Sequence, residues 1–249
     1  MKNFLKPNLL PAATLIAGGV GLLLRVWLFL GGTDERGLLV TSHPANALVY
    51  ILTALFLALL FLCVRPLDAA ERYQQLFPNP RFSALGCVAA AIGILWVNTQ
   101  DMLARKDTIT TVCLVLGILA ALCLLMLAWC RWKQRRPVCY FHVVVTLYLM
   151  LHAVSQYRLW SAEPQLQLYF FSLLGSVFLM LTGYHSAVMD ARKVNRRWFV
   201  FCNQAALFCC FLSLWSESGM FYLAMGLWTL TGLCDLQPQK PEESPQEEA

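Results

Sequence analysis

The sequence predicts an all-α protein, a polytopic transmembrane helical bundle of about eight spans arranged as four helical hairpins. Hydrophobic residues make up 59% of the chain and charged residues only 13%, whereas a soluble domain carries about 25% charged residues. The apolar residues fall into runs of roughly 20, the length that crosses a bilayer as a helix. Because backbone N–H and C=O groups find no partner in hydrocarbon, such runs must be helical.

Eight apolar segments place the predicted helices along the chain. The first carries Arg25 and is longer than the core of a signal peptide, so we interpret it as an uncleaved span. Residues 1–236 then form one transmembrane domain. Residues 237–249, rich in Pro, Glu and Gln, are predicted to form a disordered cytoplasmic tail. The predicted spans are residues 9–30, 44–64, 83–101, 109–130, 138–159, 166–189, 198–215 and 218–235.

The distribution of basic residues predicts the orientation of the bundle. When both termini are placed in the cytoplasm, 14 of the 19 lysines and arginines fall in cytoplasmic segments. Loops rich in Lys and Arg are retained on that side, so we expect a multi-pass protein of the cell membrane with both termini inside. The lipid bilayer is the expected partner, other membrane subunits are further candidates, and the spread of basic residues between apolar runs excludes nucleic acid. The outer loops hold only Arg36, Arg105, Lys106 and Arg158.

Small residues that recur every three or four positions predict which helix faces pack. Lipid gives helices little hydrophobic reason to associate, so close contacts form where small side chains let the backbones approach. The predicted faces are Ala13, Ala17, Gly21 and Arg25 in the first span, Gly86, Ala90, Gly93, Val97 and Asp101 in the third, and Ser172, Ser176 and Gly183 in the sixth.

Arg25 is the sharpest single feature, because a charge inside the hydrocarbon core costs at least about 2.5 kcal/mol on insertion scales. It lies near the outer end of its predicted span. Three interpretations remain open: contact with an anion or lipid headgroup, an ion pair with Asp101, and snorkelling of the guanidinium to the interface. The pair with Asp101 is the most specific of these hypotheses.

The fifth span carries a polar stripe, in which His152 and Gln156 lie one turn apart and Tyr148 shares their side. Such a stripe either lines a cavity or makes interhelical hydrogen bonds. In the seventh span, Asn203 and Gln204 are expected to make interhelical hydrogen bonds. The candidate buried polar or ligand-contact residues are Arg25, Asp101, His152, Gln156 and Asn203.

The chain shows no motif for catalysis or for metal binding. Its ten cysteines form no C-x-x-C pair and lie in or beside apolar runs, which is typical of small core residues. Its four histidines lack the H-x-x-x-H and H-E-x-x-H spacings, so we assign no catalytic residue, metal or cofactor. In the longest outer loop, Asp34, Glu35 and His43 offer polar groups, and Ser42 with Pro44 is typical of a helix start.

The stretch GLLLRVWLFLGGTDERGLLVTSHPA, from Gly21 to Ala45, resembles a group of uncharacterised multi-pass membrane proteins of anaerobic Gram-positive bacteria (Clostridia). The resemblance covers the first span, the outer loop and the start of the second span. It implies a location in the bacterial inner membrane, and it implies no activity.

Three functions are compatible with these patterns. The absence of motifs favours a non-enzymatic partner, sensor or assembly protein, for which we expect a sealed bundle. A transporter or permease for a small molecule or lipid is the alternative, and it requires a cavity that reaches the bilayer midplane. An intramembrane lipid-modifying enzyme is the second alternative, and it requires histidine and carboxylate side chains that converge in a groove open to lipid.

Overall fold

The computed structural model describes residues 9–32, 43–67, 77, 80–104, 107–161, 169–191 and 195–236, and all of the regular secondary structure within them is helical. Most of the predicted bounds agree with it to within a few residues. The largest differences are at the start of the sixth helix, which begins at Phe170 and not at residue 166, and at the end of the seventh, which ends at Leu212 and not at residue 215. The predicted tail, residues 237–249, lies outside the described residues. The helices are α1 (Leu9–Gly31), α2 (Pro44–Val64), α3 (Arg81–Ala104), α4 (Thr108–Trp132), α5 (Cys139–Trp160), α6 (Phe170–Asp190), α7 (Arg196–Leu212) and α8 (Gly219–Cys234).

The outer surface of the bundle is apolar over most of its height. Helices α1 to α6 are long and apolar enough to cross a bilayer, and large side chains such as Leu23, Leu59 and Leu103 face outward, with 59–80% of their surface exposed. A protein dissolved in water rarely exposes so much contiguous apolar surface. The chain is therefore an integral membrane protein with a helical bundle fold.

Six of the helices form a closed ring. Each helix from α3 to α7 packs against the next, and α8 returns to α3. The interior of the ring holds the largest hydrophobic cluster, which includes Ile94, Leu124, Tyr148 and Phe221. Helices α1 and α2 lie outside the ring, where both pack against α7.

One end of the bundle, which we call the basic end, is defined by Arg65, Arg81, Arg131, Arg136 and Arg197. Three contacts join the helix ends there. The side chain of Arg197 donates to the Leu67 carbonyl, that of Arg136 donates to the Asp190 carbonyl, and the Ser83 N–H donates to Asp235 at 2.6 Å.

The two short helices run between the same two ends as the long ones. Helix α7 has 17 residues and α8 has 16, which corresponds to about 25 Å each at 1.5 Å per residue. At the basic end α7 begins beside Leu67 and α8 ends beside Ser83. At the opposite end, Arg25 near the end of α1 reaches the Leu212 carbonyl, where α7 ends.

The small-residue faces of α3 and α6 are confirmed. Gly86 and Gly93 of α3 lie so close to α8 that a Cβ added at Gly93 would be 2.4 Å from the Ala224 Cβ. Ser172, Ser176 and Gly183 of α6 are buried.

The predicted face of α1 is shifted. Ala13 is exposed, whereas Thr14, Gly18 and Gly21 are buried together with Arg25. The true spacing is four, three and four residues, because the face that meets α7 follows the helical repeat and not a strict four-residue step.

Candidate functional site

A cavity of about 320 Å³ lies at the end of the bundle opposite the basic end, between α3, α5 and the start of α8. We call it the Asp101 cavity. Its volume falls in the range of about 300–1,000 Å³ that is usual for small-molecule sites. Two of the five residues proposed from the sequence, Asp101 and Gln156, line it. The other residues that give it its chemical character are Trp96, Gln100, Trp160, Tyr169, Glu217, Ser218 and Phe221.

The polar wall of the cavity is built by α3 and α5. The Gln156 amide donates to the Asp101 carboxylate at 3.3 Å, and Glu217, in the connection between α7 and α8, adds a second carboxylate. These two are the charged groups of the described lining, which includes no lysine or arginine. The cavity therefore offers acceptors and negative charge to a ligand.

Aromatic side chains line the same cavity as these carboxylates. The rings of Trp160 and Tyr169 are stacked, with centroids 4.8 Å apart, and Trp96 and Phe221 contribute further faces. The face of an aromatic ring carries partial negative charge, so it attracts cations within about 6 Å.

A group of three polar side chains, His152, Tyr148 and Asn98, lies in the core next to Phe221 of the cavity. The His152 ring lies 4.8 Å from the Phe221 ring and stacks at 5.7 Å on Tyr148. The Tyr148 hydroxyl donates to the Asn98 carbonyl oxygen at 3.3 Å. Two atoms of this group, His152 Nε2 and Asn98 Nδ2, are buried without a hydrogen-bond partner. An orphaned polar atom in a core is unfavourable, and it commonly marks a position that water or a ligand serves.

The polar stripe predicted on α5 is confirmed as a buried face, since Tyr148, His152, Ser155 and Gln156 all point into the bundle. The stripe both lines a cavity and makes an interhelical hydrogen bond, the two roles expected from the sequence. Gln156 lines the cavity, while Tyr148 makes an interhelical hydrogen bond to Asn98.

Arg25 and Asp101 have different partners. Arg25 is 3% exposed, its Nη1 donates to the Leu212 carbonyl at 2.8 Å, and its guanidinium lies 5.2 Å from the Phe171 ring. The last carbonyls of a helix lack intrahelical donors and carry partial negative charge, so a cation there satisfies both the hydrogen bond and the charge. Arg25 thus caps α7 from a neighbouring helix, and the expected pair with Asp101 is not formed among the described residues.

The two polar residues predicted in the seventh span behave differently. Gln204 makes the expected interhelical bond, because its carbonyl oxygen accepts from the Thr14 hydroxyl of α1 at 2.5 Å. Asn203 does not, since its amide donates to the Phe199 carbonyl of its own helix at 2.8 Å. Asn203 is buried but lies in the wall between helices and not in the Asp101 cavity.

A buried ionic cluster at the basic end escaped the sequence analysis. His142 Nδ1 lies 2.6 Å from Asp190 Oδ2, and Arg131 Nη2 lies 3.3 Å from His142 Nε2. Because a guanidinium can only donate, Nε2 must accept and the imidazole proton must sit on Nδ1, facing the carboxylate. Arg131 also donates to the Cys87 sulfur at 3.3 Å, so the cluster ties α3, α4, α5 and α6 together.

One signal in the sequence points to this cluster. Asp190 is an isolated acidic residue at the end of an apolar helix, directly before the basic run that begins at Arg192. A carboxylate in such a position has cations within reach and a burial cost to offset, so it is expected to pair.

The remaining candidates have structural roles or fall outside the described residues. His43 is the N-cap of α2 and accepts from the Ala45 N–H, and the helix begins at Pro44, the first residue of the predicted second span. The loop residues Asp34 and Glu35 are not among the described residues. Within the described chain, no group of three or more His, Cys, Asp or Glu side chains could hold a metal ion.

No known family model, no curated protein and no solved structure matches this chain.

Proposed function

We propose that the protein is a non-enzymatic membrane protein that binds a small organic cation in the Asp101 cavity and acts as a sensor or a binding subunit. The observation that carries this proposal is the pairing of two carboxylates with an aromatic wall in one cavity of about 320 Å³. Carboxylates attract the charge of an ammonium group, and aromatic faces bind its methyl or methylene groups without hydrogen bonds.

The proposed orientation places this cavity outside the cell. The lysine and arginine bias of the sequence and the contacts among helix ends at the basic end support a cytoplasmic location for that end. The resemblance of residues 21–45 to bacterial proteins supports the cell membrane as the location. The ligand would then reach the cavity from the external solution.

Isothermal titration of the purified protein in detergent with choline tests the proposal. Choline should bind, and Glu217→Gln should weaken binding by up to about fivefold, because the Glu217 side chain is exposed and an exposed charge pair is worth up to about 1 kcal/mol. Asp101→Asn should act in the same direction. Asp107→Asn is the matched control, since it changes a carboxylate at the same end that does not line the cavity.

A neutral isostere of choline, 3,3-dimethylbutanol, separates charge recognition from simple filling of an apolar space. It should bind much more weakly than choline. Equal binding of the two compounds, or equal loss of choline affinity in Asp107→Asn and Glu217→Gln, would refute a cation site.

Transport is the second candidate, and the buried face of α5 favours it. From Gln156 to His142 this face carries polar groups over about 21 Å at 1.5 Å per residue, and all of them are buried. Such a series could serve a passing ligand or proton. Uptake of labelled choline into proteoliposomes distinguishes the two functions, because a sensor binds choline without accumulating it.

The geometry lends no support to a lipid-modifying enzyme. His142 and Asp190 do converge, but the side chains of both are almost fully buried, at 0% and 2% exposure. A lipid substrate would need an open groove at this position, but the two side chains are enclosed, with Arg131 against the imidazole and Arg136 on the backbone carbonyl of Asp190.

A further inference from the structure

A second groove, of about 250 Å³, lies at the basic end between the last turn of α2 and the first turn of α7. It is separate from the Asp101 cavity and shares no residue with it. We call it the Arg65 groove. Its lining consists of Phe61, Val64 and Arg65 from the α2 side and Arg197, Trp198 and Phe201 from the α7 side.

The upper rim of the Arg65 groove is cationic. Arg197 lines the groove and donates through Nε to the Leu67 carbonyl, which leaves its terminal nitrogens for other acceptors. Arg65, the C-cap residue of α2, is exposed and lines the same groove. Two guanidinium groups that line one groove repel each other, and an anion between them offsets this repulsion.

The start of α7 adds further positive character. The N-cap residue Asn195 makes no side-chain hydrogen bond to the first turn, and the first intrahelical bond runs from the Phe199 N–H to the Asn195 carbonyl. The N–H groups of the preceding first turn have no acceptor within the helix and carry the positive end of its dipole. This arrangement favours phosphate groups.

The floor of the Arg65 groove is aromatic. The Phe201 ring packs edge-to-face against Phe61, at 6.1 Å, and against Trp198, at 5.9 Å. Phe61 and Trp198 are about half exposed, on the outer surface where the bilayer lies. Tryptophan at this depth is typical of the boundary between headgroups and acyl chains.

We propose that the Arg65 groove binds the headgroup phosphate of an anionic phospholipid, with the upper part of an acyl chain against Phe61 and Phe201. The two arginines select an anion, and the aromatic floor selects a molecule with an apolar chain attached to that anion. A phospholipid with net negative charge meets both conditions, and basic pockets between membrane helices are known to hold such headgroups.

Native mass spectrometry of the detergent-purified full chain with added phosphatidylglycerol tests this site. One molecule of phosphatidylglycerol should remain bound to the wild-type protein, and Arg65→Gln should lower its retention by about fivefold, the effect of removing one basic residue near a headgroup. The exposed Arg65 side chain permits this change without disturbing the Leu67 contact of Arg197. Phe61→Ala, which keeps both arginines, should lower retention of the lipid as well.

Three comparisons decide the outcome. Arg81→Gln removes an exposed arginine at the same end that does not line the groove, and it should leave retention unchanged. Phosphatidylcholine should bind more weakly than phosphatidylglycerol, and equimolar inorganic phosphate should not displace the lipid. The proposal is overturned if Arg65→Gln retains the lipid as the wild type does, if Arg81→Gln loses it equally, or if inorganic phosphate competes on equal terms.

Discussion

The Nδ1 atom of His142 lies 2.6 Å from Oδ2 of Asp190, and this hydrogen bond joins the start of α5 to the end of α6 in the interior of the basic end. Arg131 occupies the other ring nitrogen, and the Arg136 side chain reaches the Asp190 carbonyl. Every polar atom of the imidazole is thus satisfied by a charged neighbour, which makes the cluster sensitive to the loss of any one member.

Removing one partner of this cluster should be strongly destabilising. His142→Ala leaves the Asp190 carboxylate buried without its donor, and breaking a buried pair in this way costs about 3–5 kcal/mol. Unfolding of the purified protein by SDS titration measures the loss. The surface pair of Arg158 and Asp107 is the comparison, because Arg158→Gln should change the unfolding free energy by no more than about 1 kcal/mol. Similar losses in both variants would contradict a structural role for the buried cluster.

Replacing Arg25 should destabilise the end of α7. Arg25→Met removes the donor to the Leu212 carbonyl and leaves a buried acceptor unsatisfied, which costs about 1–3 kcal/mol. SDS titration again supplies the measurement. Asp101→Asn should act independently, since Asp101 contacts Gln156 on another helix, and the double variant Arg25→Asp with Asp101→Arg should not recover stability. Recovery by this charge swap would show that the two residues do pair.

The close approach of α3 and α8 depends on Gly93. A methyl group added there would lie 2.4 Å from the Ala224 Cβ, so Gly93→Ala should lower the unfolding free energy by about 1–3 kcal/mol through overpacking. The compensating change Ala224→Gly should restore most of this loss. Gly19→Ala is the control, because nothing lies within 4 Å of a Cβ at that position. It should be neutral or slightly stabilising, since Ala favours helix more than Gly does.

The N-cap of α4 should make stability depend on acid pH. Hydrogen bonds from the Thr110 side chain and backbone, with help from Arg158, lower the pKa of Asp107 to about 2 from its ordinary value of 3.8. A carboxyl group whose pKa is lower in the folded state than in the unfolded state contributes its full stabilisation above the unfolded-state pKa. For Asp107 this contribution is lost as the pH falls from about 4 towards 2. The fall in thermal midpoint between pH 6 and pH 3 should therefore be smaller in Asp107→Asn than in the wild type. An identical fall in both proteins would exclude this cap as a source of the pH dependence.

Much of the fold and two residues of the cavity, Asp101 and Gln156, could be predicted because their signals are local. The small residues of α3, such as Gly86 and Gly93, recur with the helical repeat, and so do His152 and Gln156 on α5. A repeat of this kind identifies a buried face whatever helix lies opposite. The first half of the α1 face lies one position later than its small residues predict, because Ala13 and Thr14 are both small and composition alone does not separate them.

The partners across helices could not be predicted, because the order of the helices in space is not a property of any one segment. Arg25 binds a carbonyl group, which every residue possesses, so no side chain marks Leu212 as its acceptor. Glu217 joins the Asp101 cavity only because α8 packs against α3. His142 and Asp190 lie on different helices and meet through the packing of α5 against α6.

The position of α1 outside the ring has a consequence for biosynthesis. Its buried face meets α7, which begins only at Arg196, so the ribosome must add most of the chain before the Leu212 carbonyl exists. At translation rates of about 5–20 residues per second this interval is on the order of ten seconds. During that time Arg25 is already in the bilayer, but the Leu212 carbonyl that accepts its hydrogen bond has not been synthesised. The guanidinium must therefore stay hydrated at the nearby interface until the seventh helix is inserted.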